Sequence, residues 1–326
     1  MKYRKIGMGI CSSLAMLFLI LDGKTAILGA RQGISLCIQT VIPSLLPFFF
    51  LTGIIVSSIG SASLPFLRPI ARVCRLPEGA GAYLIPAFLG GYPMGAQAIN
   101  DGIRRRQLSP ETGRRMLHFC SNAGPAFLFG MVAPLFPNIL AGFSLWAIHV
   151  LTALLIGMGM PGTAQGQACR EPRPATPSES MAGAVRALAL VCGWVICFQI
   201  LTAFFDRCFS EILPISVRVV VSGILELAGG CSRLLQIDSL ALRYVYASGM
   251  LGFGGLCVLM QTASVLTELP VRNYLVGKLL HGLLSMLTAA AVAAGYWLLC
   301  IPFYLVLFMF FEKKQRNSGI IPAHAV

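Results

Sequence analysis

Residues 79–100 read GAGAYLIPAFLGGYPMGAQAIN, a stretch of 22 residues without Asp, Glu, Lys or Arg. Gly90, Gly91, Pro93 and Gly95 interrupt its midpoint, because glycine lacks a Cβ and proline lacks an amide N–H. A bilayer crossing takes about 20 helical residues, so the stretch is too short for two. The basic clusters on either side of it, at 68–75 and 104–106, are both expected in the cytoplasm, so the stretch has to return to the face it enters. It therefore predicts a re-entrant hairpin of two half-helices, with an ordinary proline-kinked span as the alternative.

The overall composition places this stretch in a membrane protein. The 326 residues are 56% hydrophobic and only 11% charged, against roughly 25% charged in a soluble domain. This excludes a typical cytosolic enzyme and predicts an all-α polytopic membrane protein in contact with lipid. The net charge of +13 then reflects basic cytoplasmic loops, so no nucleic-acid partner is expected.

Motifs for covalent or metal chemistry are missing from the sequence. The eleven cysteines include no Cys-x-x-Cys pair and no Cys/His ligand spacing, so neither a disulfide framework nor a metal site is expected. There is no nucleophile elbow, P-loop or dinucleotide fingerprint. We therefore expect no catalytic residue and no cofactor, and the chain is not predicted to be an enzyme.

Charge-free runs locate the membrane segments and predict about eight or nine transmembrane helices, in a cell-membrane protein with a cytoplasmic N-terminus. Early helices are predicted at 6–21 and 42–60, and Pro134 and Pro137 divide a later run into helices near 116–135 and 139–160. The predicted organisation is an N-terminal signal-anchor helix in 1–30, a first half in 31–164, a cytoplasmic linker in 165–185, a second half in 186–300 and a tail in 301–326.

Helix-breaking motifs recur in the same order in both halves. A Gly-Gly pair precedes a polar-Gly motif at Gly90-Gly91 and Ser121–Phe127, and again at Gly229-Gly230 and in the stretch ASGMLGFGGLCVLMQ at 247–261. Paired interruptions in two halves are typical of transporter sites near the bilayer midplane. Two pseudo-repeated halves are therefore predicted, with their interruptions around a shared polar chamber. The alternative is chance, since glycine is common in membrane helices.

The candidate substrate-binding residues lie at these interruptions. Glu226 stands alone in an apolar run, where an ionised carboxylate is costly, so it should face a cavity or a partner. Proton coupling is one interpretation, and the other is a structural hydrogen bond to Arg218, Arg233 or free backbone N–H groups of the Gly-Gly break. The full set is Gly91, Tyr92, Pro93, Gly95, Gln97, Ser121, Asn122, Gly124, Pro125, Phe127, Glu226, Gly229, Gly230, Ser248 and Gln261.

Four further polar residues are not assigned to the site. Lys278 and His281 lie one turn apart near a helix start, and we interpret them as interface residues whose polar ends reach towards water. His118 and His149 are interpreted as isolated, because no other potential ligand lies at a metal-binding spacing from them.

Three motifs resemble those of the nucleoside-recognition (Gate) membrane proteins, and within them the sporulation integral membrane proteins of the YlbJ (SpoVV) type. They are PSLLPFF at 43–49, GGYPMGA at 90–96 and LHFCSNAGPAF at 117–127. The resemblance covers roughly residues 30–300. It implies that both halves are Gate-like.

The resemblance also implies a function, namely export of dipicolinic acid from the mother cell across the outer forespore membrane during endospore formation. Half-helix N-termini at 91–95 and 124–127 would suit the two carboxylates of this small anion, and Tyr92 and Phe127 would stack on its ring. The alternatives are a carrier for nucleosides or another carboxylate, and a non-transporting scaffold for spore-envelope assembly. Assembly into a homo-oligomer is left open.

Overall fold

The computed structural model describes residues 2–59, 67–77, 79–160 and 176–296, together with 298, 304, 306, 307 and 309. Within these ranges the chain is helical and forms no β-strand, which confirms the predicted all-α class. Most of the predicted linker, at 165–175, and most of the tail in 301–326 lie outside the described residues.

The helices follow one another with short connections. A π-helical turn at Cys37–Val41 joins two of them, and turns at Leu128–Val132 and Ala133–Leu135 extend a third. The α-helices are α1 (Lys2–Leu21), α2 (Gly23–Leu36), α3 (Ile42–Ile59), α4 (Arg68–Val73), α5 (Leu84–Phe88), α6 (Met94–Arg104), α7 (Pro110–Met116), α8 (Pro125–Phe127), α9 (Ile139–Gly159), α10 (Pro177–Phe209), α11 (Ile215–Leu225), α12 (Leu227–Ser232), α13 (Leu240–Phe253), α14 (Gly255–Val265) and α15 (Arg272–Ala293).

Among the described residues, five helical stretches are long and apolar enough to cross a membrane. Three shorter apolar helices, at Ser12–Leu21, Pro125–Leu135 and Ile215–Leu225, accompany them. This supports the predicted membrane protein, while the count of eight or nine spans stays a prediction, as do the domain boundaries and the internal repeat. The five stretches are Gly23–Ile55, Ile139–Gly159, Pro177–Phe209, Leu240–Val265 and Arg272–Ala293.

The second long helix begins earlier than the charge pattern predicts. We expected it over 42–60, but the chain is helical from Gly23 through the π turn to Ile59. The carboxylate of Asp22 starts it by accepting the backbone N–H of Thr25 at 3.3 Å, an N-cap interaction. Arg31 is accommodated in this helix, which is why the charge-free run alone misplaces its start.

Two glycines allow α2 to pack tightly on α10. A Cβ on Gly29 would lie 2.6 Å from the Cα of Ile200, and a Cβ on Gly33 would lie 2.7 Å from the Cα of Ile196. Their four-residue spacing puts both on one helix face, as in the close helix contacts of membrane proteins. The contact ties the beginning of the chain to the first long helix after the linker.

Residues 79–100 fold back on themselves, as their glycines and prolines predict. A 3₁₀ turn at Ala80–Tyr83 leads into α5, the chain turns at residues 89–93, and α6 follows. The two short helices contact each other, and a Cβ on Gly95 would lie 3.0 Å from the Cα of Ala87. The hairpin is thus present in the fold, and its entry and exit by one membrane face stay a prediction.

The glycine contact between α2 and α10 generates a stability prediction. Gly33→Ala should lower the free energy of unfolding in detergent by about 1–3 kcal/mol, because its Cβ meets backbone that has to shift. Gly193→Ala in α10 is the matched control: no atom lies within 4 Å of its added Cβ, so helix propensity should keep or slightly raise stability. Thermal unfolding followed by size-exclusion chromatography measures both, and equal melting temperatures for the two variants would contradict the packing.

Candidate substrate cavity

Within the described ranges, four helix interruptions lie at or near the predicted ones, two in each half. In the first half the chain leaves helical geometry at residues 89–93 and again at 121–124. In the second half Glu226 is extended between α11 and α12, and Gly254 separates α13 from α14. Gly91, Gly254 and Gly255 have φ near +80°, a conformation that glycine adopts without steric cost.

One of the two second-half interruptions lies a few residues from where the sequence places it. Gly229 and Gly230 are inside α12, so the prediction of a break at this pair is wrong, and the actual break is three residues earlier, at Glu226. The other break, at Gly254, lies within the predicted stretch 247–261, although Ser248 and Gly249 near the start of that stretch are inside α13. The Glu226 carboxylate caps the start of α12, and Gly254 in the left-handed conformation ends α13.

All four interruptions meet one another. A Cβ on Gly124 would lie 3.0 Å from the backbone nitrogen of Gly91, which joins the two breaks of the first half. A Cβ on Gly255 would lie 3.4 Å from the nitrogen of Leu227, which joins those of the second. A Cβ on Gly254 would lie 3.2 Å from the Tyr92 ring, so the two halves touch where their helices are broken.

Tyr92 makes a direct hydrogen bond between the halves. Its hydroxyl donates to the backbone carbonyl of Leu251 at 3.1 Å, across 159 residues of sequence. Leu251 belongs to the last turn of α13, just before the Gly254 interruption. The first-half break therefore satisfies a backbone acceptor beside the second-half break.

A small cavity of about 40 Å³ lies at this meeting point. Side chains from α3 and α10 close it on one side. Its lining is mostly apolar, in contrast to the polar chamber that the sequence predicts, and three of its thirteen residues carry polar side-chain atoms, namely Tyr92, Glu226 and Gln261. The others are Val41, Leu45, Ala123, Gly124, Phe127, Val191, Val195, Leu227, Ala228 and Val258.

Five of the fifteen candidate residues line the cavity together. They are Tyr92, Gly124 and Phe127 from the first half and Glu226 and Gln261 from the second. Aromatic faces and polar groups from both halves are thus brought to one place. The Gln261 side-chain amide donates to the Cys257 sulfur at 3.2 Å, within α14.

Glu226 is held by three N–H donors. Its carboxylate accepts the backbone N–H of Ala228 at 2.9 Å and that of Gly229, and it accepts the Gln199 side-chain amide at 2.8 Å. The residue is 2% exposed. Of the two interpretations, the geometry matches a structural hydrogen bond to free N–H groups at the Gly-Gly pair. The carboxylate caps α12 while its residue borders the cavity.

The remaining candidates lie around the cavity rather than on its lining. Cβ atoms at Gly95, Gly229 and Gly230 would overlap neighbouring atoms, so these glycines permit close packing. The Ser248 hydroxyl donates to the Ser285 carbonyl at 3.0 Å, between α13 and α15. Gly91 and Pro93 lie in the turn at residues 89–93, and Pro125 begins α8. The Gln97 side-chain oxygen and the Ser121 hydroxyl are buried without a hydrogen-bond partner. Asn122 is the last of the remaining candidates.

Lys278 is the residue that the sequence analysis misjudged. It is 1% exposed, not at an interface with water. Its Nζ donates to Asn122 Oδ1 at 3.0 Å and to the Tyr92 hydroxyl oxygen at 3.2 Å, and lies 3.0 Å from His281 Nδ1. One lysine of the second half thus binds both interruptions of the first half. The feature that singled out Glu226, an ionisable group in an apolar helix, is also present at Lys278.

His149 and His281 are likewise part of this cluster, not isolated or at the surface. Their rings stack with centroids 4.5 Å apart. His281 Nε2 donates to the His149 carbonyl at 2.9 Å, which leaves its Nδ1 free to accept from Lys278. His149 Nε2 accepts the backbone N–H of Ala123 at 3.1 Å. Each ring is therefore a neutral imidazole with an assigned tautomer.

Metal ligation has no support in the described part of the chain. No group of three or more His, Cys, Asp or Glu side chains there is arranged to hold a metal ion. The two stacked histidines use three of their four ring nitrogens in hydrogen bonds within the protein.

Comparison with known proteins gives one informative relative. The chain is similar to the sporulation integral membrane protein YlbJ of Bacillus subtilis (strain 168), with 28% identity over an alignment of length 308. The match covers 78% of this chain and 74% of YlbJ. This supports a membrane protein similar to YlbJ and is consistent with a role in sporulation membranes. No protein-family profile and no solved structure matches the chain.

The Glu226 cap generates a second prediction. Glu226→Gln should lower the free energy of unfolding by about 1–2 kcal/mol, because an amide nitrogen replaces an oxygen that accepts buried N–H groups. The same change at the exposed Glu211 should stay within about 0.5 kcal/mol of wild type. Thermal unfolding in detergent compares the two, and equal stability of both variants would show that the cap contributes nothing.

Proposed function

We propose that this protein is a membrane transporter of a small organic anion, with dipicolinate, exported from the mother cell during endospore formation, as the leading substrate. The observation that carries the proposal is the meeting of four helix interruptions, two from each half, around one cavity. Discontinuous helices that converge on a buried site are the construction that secondary transporters use for binding. The proposal includes two Gate-like halves that are pseudo-repeats of each other.

The chemistry of the lining supports an aromatic anion. Gly124 and Phe127 line the cavity at the beginning of the helix Pro125–Leu135, and a helix N-terminus carries partial positive charge and free N–H groups. Tyr92 and Phe127 offer aromatic faces for a ring, and the aliphatic side chains of α3 and α10 offer apolar contact. A pyridine ring with two carboxylates needs both kinds of surface.

Transport through this cavity requires the site to open to each side of the membrane in turn. The cavity lies where the two halves touch, and rocking of one half against the other is the usual basis of alternating access in secondary transporters.

The sporulation setting of the proposal comes from the relative. YlbJ is a sporulation integral membrane protein, and the outer forespore membrane, which the resemblance of the three motifs implies, is the location that we propose. No catalytic role is proposed. A nucleoside carrier and a non-transporting scaffold for spore-envelope assembly are the outcomes that the experiment has to separate from anion transport.

Uptake into proteoliposomes tests this proposal. Vesicles that contain the purified protein and internal terbium ions should become luminescent when dipicolinate enters, faster than protein-free vesicles. Val258→Phe fills the cavity and should reduce the rate at least about tenfold, because a close-packed site has no room for the added ring. Val276→Phe on α15, which is 40% exposed, is the matched control and should keep the wild-type rate.

Each alternative has its own outcome in this assay. Uptake of radiolabelled uridine in place of dipicolinate would support the nucleoside carrier. Uptake of neither compound by protein that elutes as a single folded species would favour the scaffold. Equal uptake rates for Val258→Phe and Val276→Phe would show that the transport pathway does not pass through the cavity.

A further inference from the structure

Lys278 and Glu226 are the most deeply buried ionisable residues of the Lys, Arg, Asp and Glu side chains that the structure describes, at 1% and 2% exposed. They do not form an ion pair with each other, and no carboxylate lies within 4 Å of the Lys278 ammonium among the described residues. Glu226 instead uses both carboxylate oxygens on N–H donors. Lys278 and Glu226 therefore do not neutralise each other, although both belong to the second half of the chain.

The surroundings of Lys278 fit a charged ammonium. An ammonium has three hydrogens to donate, and three acceptors surround Nζ, namely Tyr92 Oη, Asn122 Oδ1 and His281 Nδ1. The His281 tautomer leaves Nδ1 as an acceptor, because Nε2 donates to the His149 carbonyl. All three acceptors are neutral, so a protonated Lys278 has no counter-ion in this shell.

At a position that only joins helices, a buried cation without a counter-ion costs more free energy than a neutral side chain would. Burying a charge in a membrane span is costly, and such residues are typically found where ions or substrates pass. A neutral donor would join α15 to the two interruptions at lower cost. The uncompensated charge thus points to a ligand that supplies the missing negative charge.

Tyr92 connects this ammonium to the cavity. It lines the cavity, its hydroxyl accepts from Lys278, and the Lys278 nitrogen lies 5.1 Å from the centre of its ring. Asn122 is followed directly by Ala123 and Gly124, which also line the cavity. Displacement of one side chain, Tyr92, would therefore open the ammonium to the cavity.

We propose that Lys278 is the cation that binds a carboxylate of the transported anion, and that this carboxylate displaces the Tyr92 hydroxyl from the ammonium. The proposal rests on the proposed function, since it names the residue that recognises the substrate there. A carboxylate is a stronger acceptor for an ammonium than a phenol oxygen. The Tyr92 hydroxyl keeps a second partner, the Leu251 carbonyl, so its displacement from Lys278 leaves it hydrogen-bonded.

Isothermal titration of dipicolinate into the purified full-length protein in detergent tests the assignment. Lys278→Met should raise the dissociation constant at least about 30-fold, the usual effect of removing one partner of a buried charge pair. Lys24→Met is the matched control on an exposed lysine and should bind as the wild type does. Size-exclusion chromatography and thermal unfolding establish that both variants are folded.

A second variant keeps the proposal testable if Lys278→Met does not fold. Tyr92→Phe retains the ring but removes the hydroxyl that the carboxylate has to displace, so it should bind dipicolinate about three- to tenfold more tightly than wild type, since one competing hydrogen bond is lost. Unchanged or weaker binding by Tyr92→Phe would overturn the displacement.

The same titrations separate the inference from the proposed function. Wild-type binding of dipicolinate together with equal binding by folded Lys278→Met would overturn the role of Lys278 and leave transport intact. Absence of dipicolinate binding and uptake in the wild type would overturn both. Weaker binding confined to Lys278→Met, with tighter binding by Tyr92→Phe, would support the assignment.

Discussion

Backbone that leaves helical geometry inside a membrane must find hydrogen-bond partners within the protein, because lipid offers none. The interruptions of this chain meet that requirement with side chains. The Asn122 amide donates to the carbonyls of Ala87 and Phe119, His149 accepts the N–H of Ala123, and Glu226 caps α12. The polar groups of these breaks are therefore satisfied within the protein, and close contacts of Gly124 with Gly91 and of Gly254 with Tyr92 bring the breaks together.

Much of this arrangement in the first half follows from the sequence alone. Charge depletion identifies the membrane class, and glycine with proline locates the turn at residues 89–93 and the break before Pro125. These predictions succeed because the breaking residues act locally: they remove an N–H or permit a positive φ wherever they occur. The helix Ile139–Gly159 also agrees closely with the predicted 139–160.

The second half shows the limit of such local rules. Glycine marks a break in one place and a close helix contact in another, and only tertiary packing distinguishes them. Gly230 lies against the backbone of Gly223 inside a helical turn, whereas Gly254 ends a helix. The Lys278 cluster was missed for the same reason, since its partners lie 156 and 186 residues away in the chain. No residue near Lys278 in the sequence indicates that α15 packs beside Tyr92.

Those long separations have a consequence for biosynthesis. Membrane proteins enter the bilayer in chain order, and domains assemble as they emerge from the ribosome. Lys278 belongs to α15, so the polar groups of Tyr92 and Asn122 are made long before the ammonium that joins them. Until then these two groups lack Lys278, although the Asn122 amide can already bind the carbonyls of Ala87 and Phe119 within the first half. The hydrogen bonds that join Tyr92 and Asn122 to the second half can therefore form only after α15 has been synthesised.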